Sequence, residues 1–145
     1  MKISTITLGE AEDTFVLKFK LMLKKVGIST QSFKHFKTTE DALTFYSGHE
    51  MIDTGKYSIC FIDVNLKGLI TVVDLVNQLK ALHGKVYLGI ISNSGGIIAQ
   101  NAASRTGANF FMTKNGDYEE LANNLKRIKV DFIMNVPPES FKIYE

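Results

Sequence analysis

The sequence predicts an α/β fold with a doubly wound, five-stranded parallel sheet in the order 2-1-3-4-5 and helices on both faces. Short β-type segments alternate five times with segments whose apolar residues recur at helical spacing. Residues 57–63 and 85–92 carry nearly continuous apolar runs, which are typical of strands buried on both faces of a parallel sheet. Five strand–helix units in 145 residues match the doubly wound arrangement.

Each predicted helix is an apolar stripe at helical spacing with a start or stop signal. Glycine follows the stripes of helices one, three and four at Gly27, Gly84 and Gly107. Thr38 and Asp41 have the spacing of a helix cap before helix two. Strand two has polar flanks and is expected at a sheet edge. The strands are predicted at 3–8, 32–37, 57–63, 85–92 and 109–113, and the helices at 15–26, 38–46, 72–79, 97–107 and 118–132.

The composition is that of an ordinary globular domain and argues against several functional classes. The chain is 45% hydrophobic and 22% charged, as in ordinary globular domains, and residues 1–134 are predicted to form one domain, followed by a tail or linker start at 135–145. A net charge of +2 argues against electrostatic binding of nucleic acid as the main activity. No apolar run approaches the ~20 residues of a membrane span, and no signal peptide precedes strand one, so we expect a cytoplasmic protein. The single Cys60 excludes an internal disulfide.

Polar residues follow four of the predicted strands. In this strand order, the carboxyl ends of strands one, three, four and five meet at one edge of the sheet, where ligands bind in such folds. That edge carries residues 10–13 (three of them acidic), Asp63, Ser92 and Lys114. Clustered carboxylates favour a hard cation such as Mg²⁺, and a carboxylate beside it is a nucleophile towards phosphorus. A hydroxyl and an ammonium group would hold the transferred phosphoryl oxygens.

The same residues also have purely structural interpretations. Acidic residues are favoured at the start of a helix, which would explain residues 10–13. Asp63 would only close a strand, Ser92 would be a strand-end hydroxyl, and Lys114 would be a solvated surface lysine. These interpretations stay open beside the functional ones.

Taken in order, these residues resemble a response regulator receiver domain of two-component signalling, whose fold is the flavodoxin-like doubly wound type. The resemblance covers about residues 2–132 and includes the run Thr106–Lys114, Thr-Gly-Ala-Asn-Phe-Phe-Met-Thr-Lys. It implies that Asp63 is the phospho-acceptor and that Lys114 is the family's strand-five lysine. Ser92 would be the switch hydroxyl and Phe111 the switch aromatic.

The resemblance also implies a Mg²⁺ site. Its ligands would be the side chains of Glu10, Glu12 and Asp63 and the backbone carbonyl of Asn65. The family has two adjacent acids after strand one, and Ala11 stands at the position of the second, which binds the metal directly in the family. We therefore expect weak Mg²⁺ binding, with Glu12 as a substitute ligand.

The implied function is that of a signalling receiver that switches a protein-interaction face. Its only implied chemistry is self-phosphorylation from a donor and autodephosphorylation, so no turnover enzyme is expected. A sensor histidine kinase or phosphotransfer protein would supply the phosphoryl group. An output partner, or a second copy of the chain, would bind the face of helix four, strand five and helix five, where Ile97 and Ile98 stand out among small alanines. Neither nucleic acid nor a membrane is an expected direct partner.

Two alternatives stay open. Lys67 and Asn115 stand where the family has prolines, and together with Ala11 they favour a pseudo-receiver that acts by protein contacts without phosphorylation. Residues 91–96, Ile-Ser-Asn-Ser-Gly-Gly, resemble the Ser-x-Ser-Gly turn of sugar-isomerase domains and favour a phosphate- or small-molecule-binding α/β module. A haloacid-dehalogenase-type phosphatase is disfavoured because Asp63 lacks a second acid two residues later, and no glycine-rich dinucleotide motif follows strand one.

Overall fold

The structure, a computed structural model, describes residues 3–31, 33–48, 57–82, 86–93, 96–114, 119, 122–123 and 125–127. These residues form a five-stranded parallel sheet in the order β2-β1-β3-β4-β5, which confirms the predicted fold class. The strands are β1 (Ile3–Gly9), β2 (Phe33–Phe36), β3 (Tyr57–Asp63), β4 (Val86–Ser92) and β5 (Phe110–Thr113), and the helices are α1 (Asp13–Lys25), α2 (Thr39–Tyr46), α3 (Val72–Leu82) and α4 (Ile97–Arg105).

Helices cover both faces of the sheet. Alternate side chains of a strand point to opposite faces, and β3 shows this directly. Phe61 packs with α1 residues in one apolar cluster, which also contains Ala122 and Leu125. Residues 119, 122–123 and 125–127 are helical and lie within the predicted helix five. Ile62 packs in the other cluster with residues of α2, α3 and α4. This division places α2, α3 and α4 together on one face of the sheet.

Aromatic rings fill the core on the α1 face. The ring of Phe61 meets the rings of Phe19 and Phe110 edge to face, with centroids 4.8 and 5.3 Å away. Such contacts add to the free energy gained by burying the rings. The described side chains of β3 and β4 are buried, and the two strands pair through to Asp63 and Ile91, which sets the relative position of their carboxyl ends.

The predicted helix signals agree with the structure where it describes them. Gly27 and Gly107 follow α1 and α4 with φ angles of 79° and 82°, a conformation that glycine adopts without strain. The Oγ1 atom of Thr38 accepts a hydrogen bond of 3.3 Å from the Asp41 amide. Residues 83–85, the loop after Gly48 and most of the predicted helix five lie outside the described residues, as does the tail at 135–145.

No described helix is long and apolar enough to cross a membrane.

Candidate functional site

The carboxyl ends of four strands bring the predicted site residues to one edge of the sheet. Glu10 directly follows β1, Asp63 ends β3, Ser92 ends β4, and Lys114 directly follows β5. The strands are in register at this edge, since Asp63 pairs with Ile91 and Ser92 pairs with Thr113. Parallel pairing therefore places the acidic residues and the lysine around one point.

The acidic residues converge on the Nζ atom of Lys114. It lies 2.7 Å from Oε2 of Glu10 and donates a hydrogen bond of 3.1 Å to Oδ2 of Asp63. Oε2 of Glu12 is 3.9 Å away, at the solvent side of the group. The side chains of Lys114, Glu10 and Asp63 are only 2%, 0% and 12% exposed, whereas that of Glu12 is 61% exposed. Two buried carboxylates thus share one buried ammonium group.

Backbone amides engage the remaining oxygens of the two buried carboxylates. Oε1 of Glu10 accepts a hydrogen bond of 3.1 Å from the Glu12 amide, and Oδ1 of Asp63 accepts one of 3.0 Å from the Asn65 amide. Each carboxylate is therefore held between a main-chain N–H and the lysine. Lys114 also lies 4.9 Å from the centre of the Phe15 ring, whose face attracts the cation.

Burial and charge act in opposite directions on the ionisable groups of this site. Burial raises the pKa of Glu10, helped by the nearby Asp63 charge, and the contacts with Lys114 and the Glu12 amide only partly offset it. Burial alone would lower the pKa of Lys114, but the hydrogen bonds and charges of Glu10 and Asp63 outweigh it and raise the pKa. The lysine is therefore held in its charged form.

Solved structures share this architecture. A response regulator receiver domain from Rhodospirillum rubrum superposes with a TM-score of 0.71 at 20% identity, over 94% of this chain and 98% of that one. The receiver domain of NarL from Mycobacterium tuberculosis gives 0.67 at 13% identity, over 88% and 97%. The isolated RcsB receiver domain from Salmonella enterica serovar Typhimurium, determined with the phosphomimetic BeF₃⁻, gives 0.68 at 8% identity, over 89% and 90%.

The chain has the receiver-domain fold. No protein-family model matches the sequence, and no curated protein is similar to it. At these identities the superpositions establish the fold alone.

Within the receiver fold, the two residues predicted to act as switches are buried. Ser92 is 6% exposed, and its carbonyl accepts a hydrogen bond of 2.7 Å from the Lys114 amide. Phe111 is fully buried in the cluster that α2, α3 and α4 cover. Their switching roles stay predictions. The serine-rich turn that resembled a phosphate cradle includes residues 94–95, which lie outside the described residues.

The structure tests the purely structural interpretations of Lys114 and of the acids at residues 10–13. Lys114 is 3% exposed, so its interpretation as a solvated surface lysine is wrong. Asp13 does not join the site, because its carboxylate lies 3.3 Å from Lys37 Nζ on the exposed surface. Of the three acids between Glu10 and Asp13, only Glu10 and Glu12 face the lysine.

The residues present fit a Mg²⁺ ion weakly. Hard carboxylate oxygens of the type that Mg²⁺ takes converge here from Glu10, Asp63 and Glu12. Among the described residues, however, no three His, Cys, Asp or Glu side chains already form a metal centre. Ala11 is exposed and contributes no ligand. An incoming ion would have to compete with Lys114 for the same oxygens.

Three residues that contact the site or its loop were not predicted from the sequence. The ring of Phe15, at the start of the apolar stripe of helix one, faces Lys114 as well as the core. His35 of β2 lies with Nε2 2.5 Å from the Glu10 carbonyl oxygen and fixes the backbone of that residue. Glu40 of α2 accepts a hydrogen bond from the loop that follows Asp63. None of these contacts has a sequence signal, because each joins elements that are distant along the chain.

Proposed function

We propose that this domain is a signalling receiver that accepts a phosphoryl group on Asp63 and thereby switches a protein-interaction face. The observation that carries the proposal is the hydrogen bond of 3.1 Å between Asp63 Oδ2 and Lys114 Nζ at the carboxyl edge of a receiver fold. Asp63 retains 12% side-chain exposure, so a donor has access to its carboxylate.

The chemistry follows from the charges around Asp63. One of its oxygens attacks the phosphorus of a phosphohistidine or a small acyl phosphate, the O–P bond forms, and the bond to the leaving group breaks with its electron pair. Lys114 then pairs with an oxygen of the transferred group, and the Ser92 hydroxyl donates to another. The side chains of Glu10, Glu12 and Asp63 and the Asn65 carbonyl would hold Mg²⁺, which supplies neutralisation of phosphoryl charge.

Partners are proposed from the site and from one exposed surface. A histidine kinase or phosphotransfer protein would present the phosphohistidine to Asp63. The output face would lie on α4, β5 and the predicted helix five, and Ile97 and Ile98 at the start of α4 are 76% and 87% exposed. Large apolar side chains left in water at adjacent positions are typical of a protein contact surface.

A pseudo-receiver is the second candidate, and one observation favours it. Each carboxylate oxygen of Glu10 and Asp63 already has an N–H or ammonium group of this chain within 3.1 Å of it. In that case the α4 face would act through binding alone, with no phosphoryl transfer.

Intact-protein mass spectrometry tests the two candidates. The wild-type chain is incubated with a small acyl phosphate and Mg²⁺ and compared with Asp63→Asn, which keeps the size of the side chain and removes the nucleophile. A phosphoryl adduct in the wild type alone supports the receiver. No adduct in the wild type, or equal adducts in both proteins, would exclude phosphorylation at Asp63 and leave the pseudo-receiver.

A further inference from the structure

The loop between β3 and α3, residues 64–71, is bound to the first turn of α2. The Leu69 amide donates a hydrogen bond of 2.7 Å to Oε2 of Glu40. The Thr39 amide donates to the Lys67 carbonyl at 3.0 Å, and Oγ1 of Thr39 donates to the Ile70 carbonyl at 2.8 Å. Three positions of this loop are thus attached to two neighbouring residues of one helix.

Gly68 allows the close approach of the loop to α2. Its φ angle of 158° lies in a region that side chains rarely adopt. A Cβ atom there would overlap Oγ1 of Thr39 and Oε2 of Glu40 and would lie 2.8 Å from the Thr39 backbone nitrogen. The loop can reach the Glu40 carboxylate only because this position has no side chain.

The same loop is attached to Asp63 at its other end. Oδ1 of Asp63 accepts from the Asn65 amide at 3.0 Å, and the Leu66 amide donates to the Asp63 carbonyl at 2.9 Å. Leu66 is 5% exposed, which anchors this part of the loop in the core. Only a few residues separate the Asp63 contacts from the Glu40 contact, so a short tethered segment connects the two carboxylates.

The hydrogen bond from the Leu69 amide favours the ionised form of Glu40. The hydrogen bond from the Leu69 amide is the main reason that the pKa of Glu40 lies below its ordinary value. Glu40 therefore carries its negative charge at neutral pH, and a charged acceptor makes a stronger hydrogen bond to an amide than a neutral one.

We propose that Glu40 is a positioning residue for Asp63. Its carboxylate holds the loop at Leu69, and the loop in turn holds the Asn65 amide against Asp63 Oδ1, which fixes the orientation in which Asp63 presents its other oxygen. The catalytic part of this inference rests on the proposed phosphorylation of Asp63. A change at the first turn of α2, including a bound partner, would then alter the reactivity of Asp63.

Amide hydrogen exchange measured residue by residue tests the structural link without any phosphodonor. Glu40→Ala should speed exchange at Leu69 and at Asn65 by about fivefold, because the Leu69 amide loses its acceptor and the released loop no longer holds the Asn65 amide against Asp63. Glu40→Gln keeps an oxygen acceptor and should restore most of the protection. Asp41→Ala is the matched control, since Asp41 is an exposed acid in the same helical turn. Exchange at Leu88, whose amide donates to Asn109 Oδ1 in the core, should stay unchanged in all variants.

Phosphorylation kinetics test the catalytic part. With a small acyl phosphate, Glu40→Ala should lower the maximal rate of adduct formation by about tenfold, as expected for a misplaced nucleophile, and leave the half-saturating donor concentration unchanged. Asp41→Ala should match the wild type and Glu40→Gln should lie near it.

The outcomes separate the two proposals. Faster exchange at Leu69 without a change at Asn65 would show that the loop does not transmit the contact, and unchanged exchange at both would show that Glu40 does not hold it; either overturns the inference. An unchanged rate in Glu40→Ala would overturn its catalytic part. If the wild type takes no phosphoryl group, the proposed function fails, while the exchange pattern still decides whether Glu40 positions Asp63.

Discussion

Oε2 of Glu10 lies 2.7 Å from Nζ of Lys114, and these side chains are 0% and 2% exposed. Asp63 shares the same ammonium group at 3.1 Å. The lysine therefore compensates two negative charges at a buried position, where water cannot screen them. This explains why the pKa of Lys114 rises even though burial opposes its charge. The proposed phosphorylation of Asp63 depends on this shared cation.

Removing the lysine should destabilise the domain. Lys114→Met preserves the apolar part of the side chain but leaves Glu10 and Asp63 facing each other without a cation. Breaking a buried ion pair by removing one partner costs about 3–5 kcal/mol, and we expect a loss in the free energy of unfolding of that order. Urea denaturation measures it. Adding Glu10→Gln should recover more than half of the loss, because one uncompensated carboxylate disappears. A cycle in which the two changes add independently would contradict the shared-cation arrangement.

Mg²⁺ binding should be weak and should improve when Ala11 is replaced by an acid. Ala11→Asp adds a charged oxygen ligand beside Glu10 at an exposed position of the turn. Calorimetric titration of both proteins should show tighter binding by the variant, with Ala11→Asn as a neutral control of the same shape. If the wild type binds Mg²⁺ as tightly as Ala11→Asp, then Glu12 already supplies the missing ligand and the reasoning from Ala11 is wrong.

The thiol of Cys60 should be unreactive in the folded protein. It is fully buried, and desolvation raises its pKa from 9.0 to about 11. Folding therefore favours the neutral thiol. This contribution to stability is fully present below pH 9.0 and is lost as the pH rises through about 11. A thiol reagent at pH 8 should label the chain only in denaturant. Between pH 9 and 11, the unfolding free energy of the wild type should fall more steeply than that of Cys60→Ala. Rapid labelling without denaturant would contradict the burial.

The sequence predicted the sheet order and the edge at which the site forms because both depend on strand pattern. The apolar runs of β3 and β4 reveal strands buried on both faces, and a residue that ends a parallel strand must lie at a known edge. Asp63 and Lys114 could therefore be placed in the site from their positions alone.

Side-chain direction and loop contacts could not be predicted in the same way. Nothing in the residues after β1 indicates that Glu10 is buried and Asp13 exposed, since the position of Glu10 depends on hydrogen bonds between its backbone and Phe36 and His35 of β2. The contact between Glu40 and Leu69 joins residues 29 positions apart, one in the first turn of α2 and the other in an irregular loop, where no periodicity exists to detect it. The cap at Thr38 was predictable because it is local.

The start of α4 should be a contact surface, and the first partner to test is a second copy of the chain. Ile97 and Ile98 are 76% and 87% exposed, so they do not pack inward, and two adjacent isoleucines in water are costly unless another surface covers them. We expect the average mass in solution to rise with protein concentration for the wild type. In the double variant Ile97→Glu with Ile98→Glu it should stay at the monomer value, because charge opposes burial in an apolar contact. Sedimentation equilibrium over a range of concentrations measures both.

A matched control comes from α1. Leu17 and Leu21 are also exposed, at 64% and 59%, but lie on the opposite face of the sheet from α4. Leu17→Glu with Leu21→Glu changes charge and apolar area by a similar amount, so it should leave association intact if the α4 surface is the interface. A wild type that stays monomeric at every concentration would exclude self-association through this face. Loss of association in the α1 variant alone would place the interface on the opposite side of the domain.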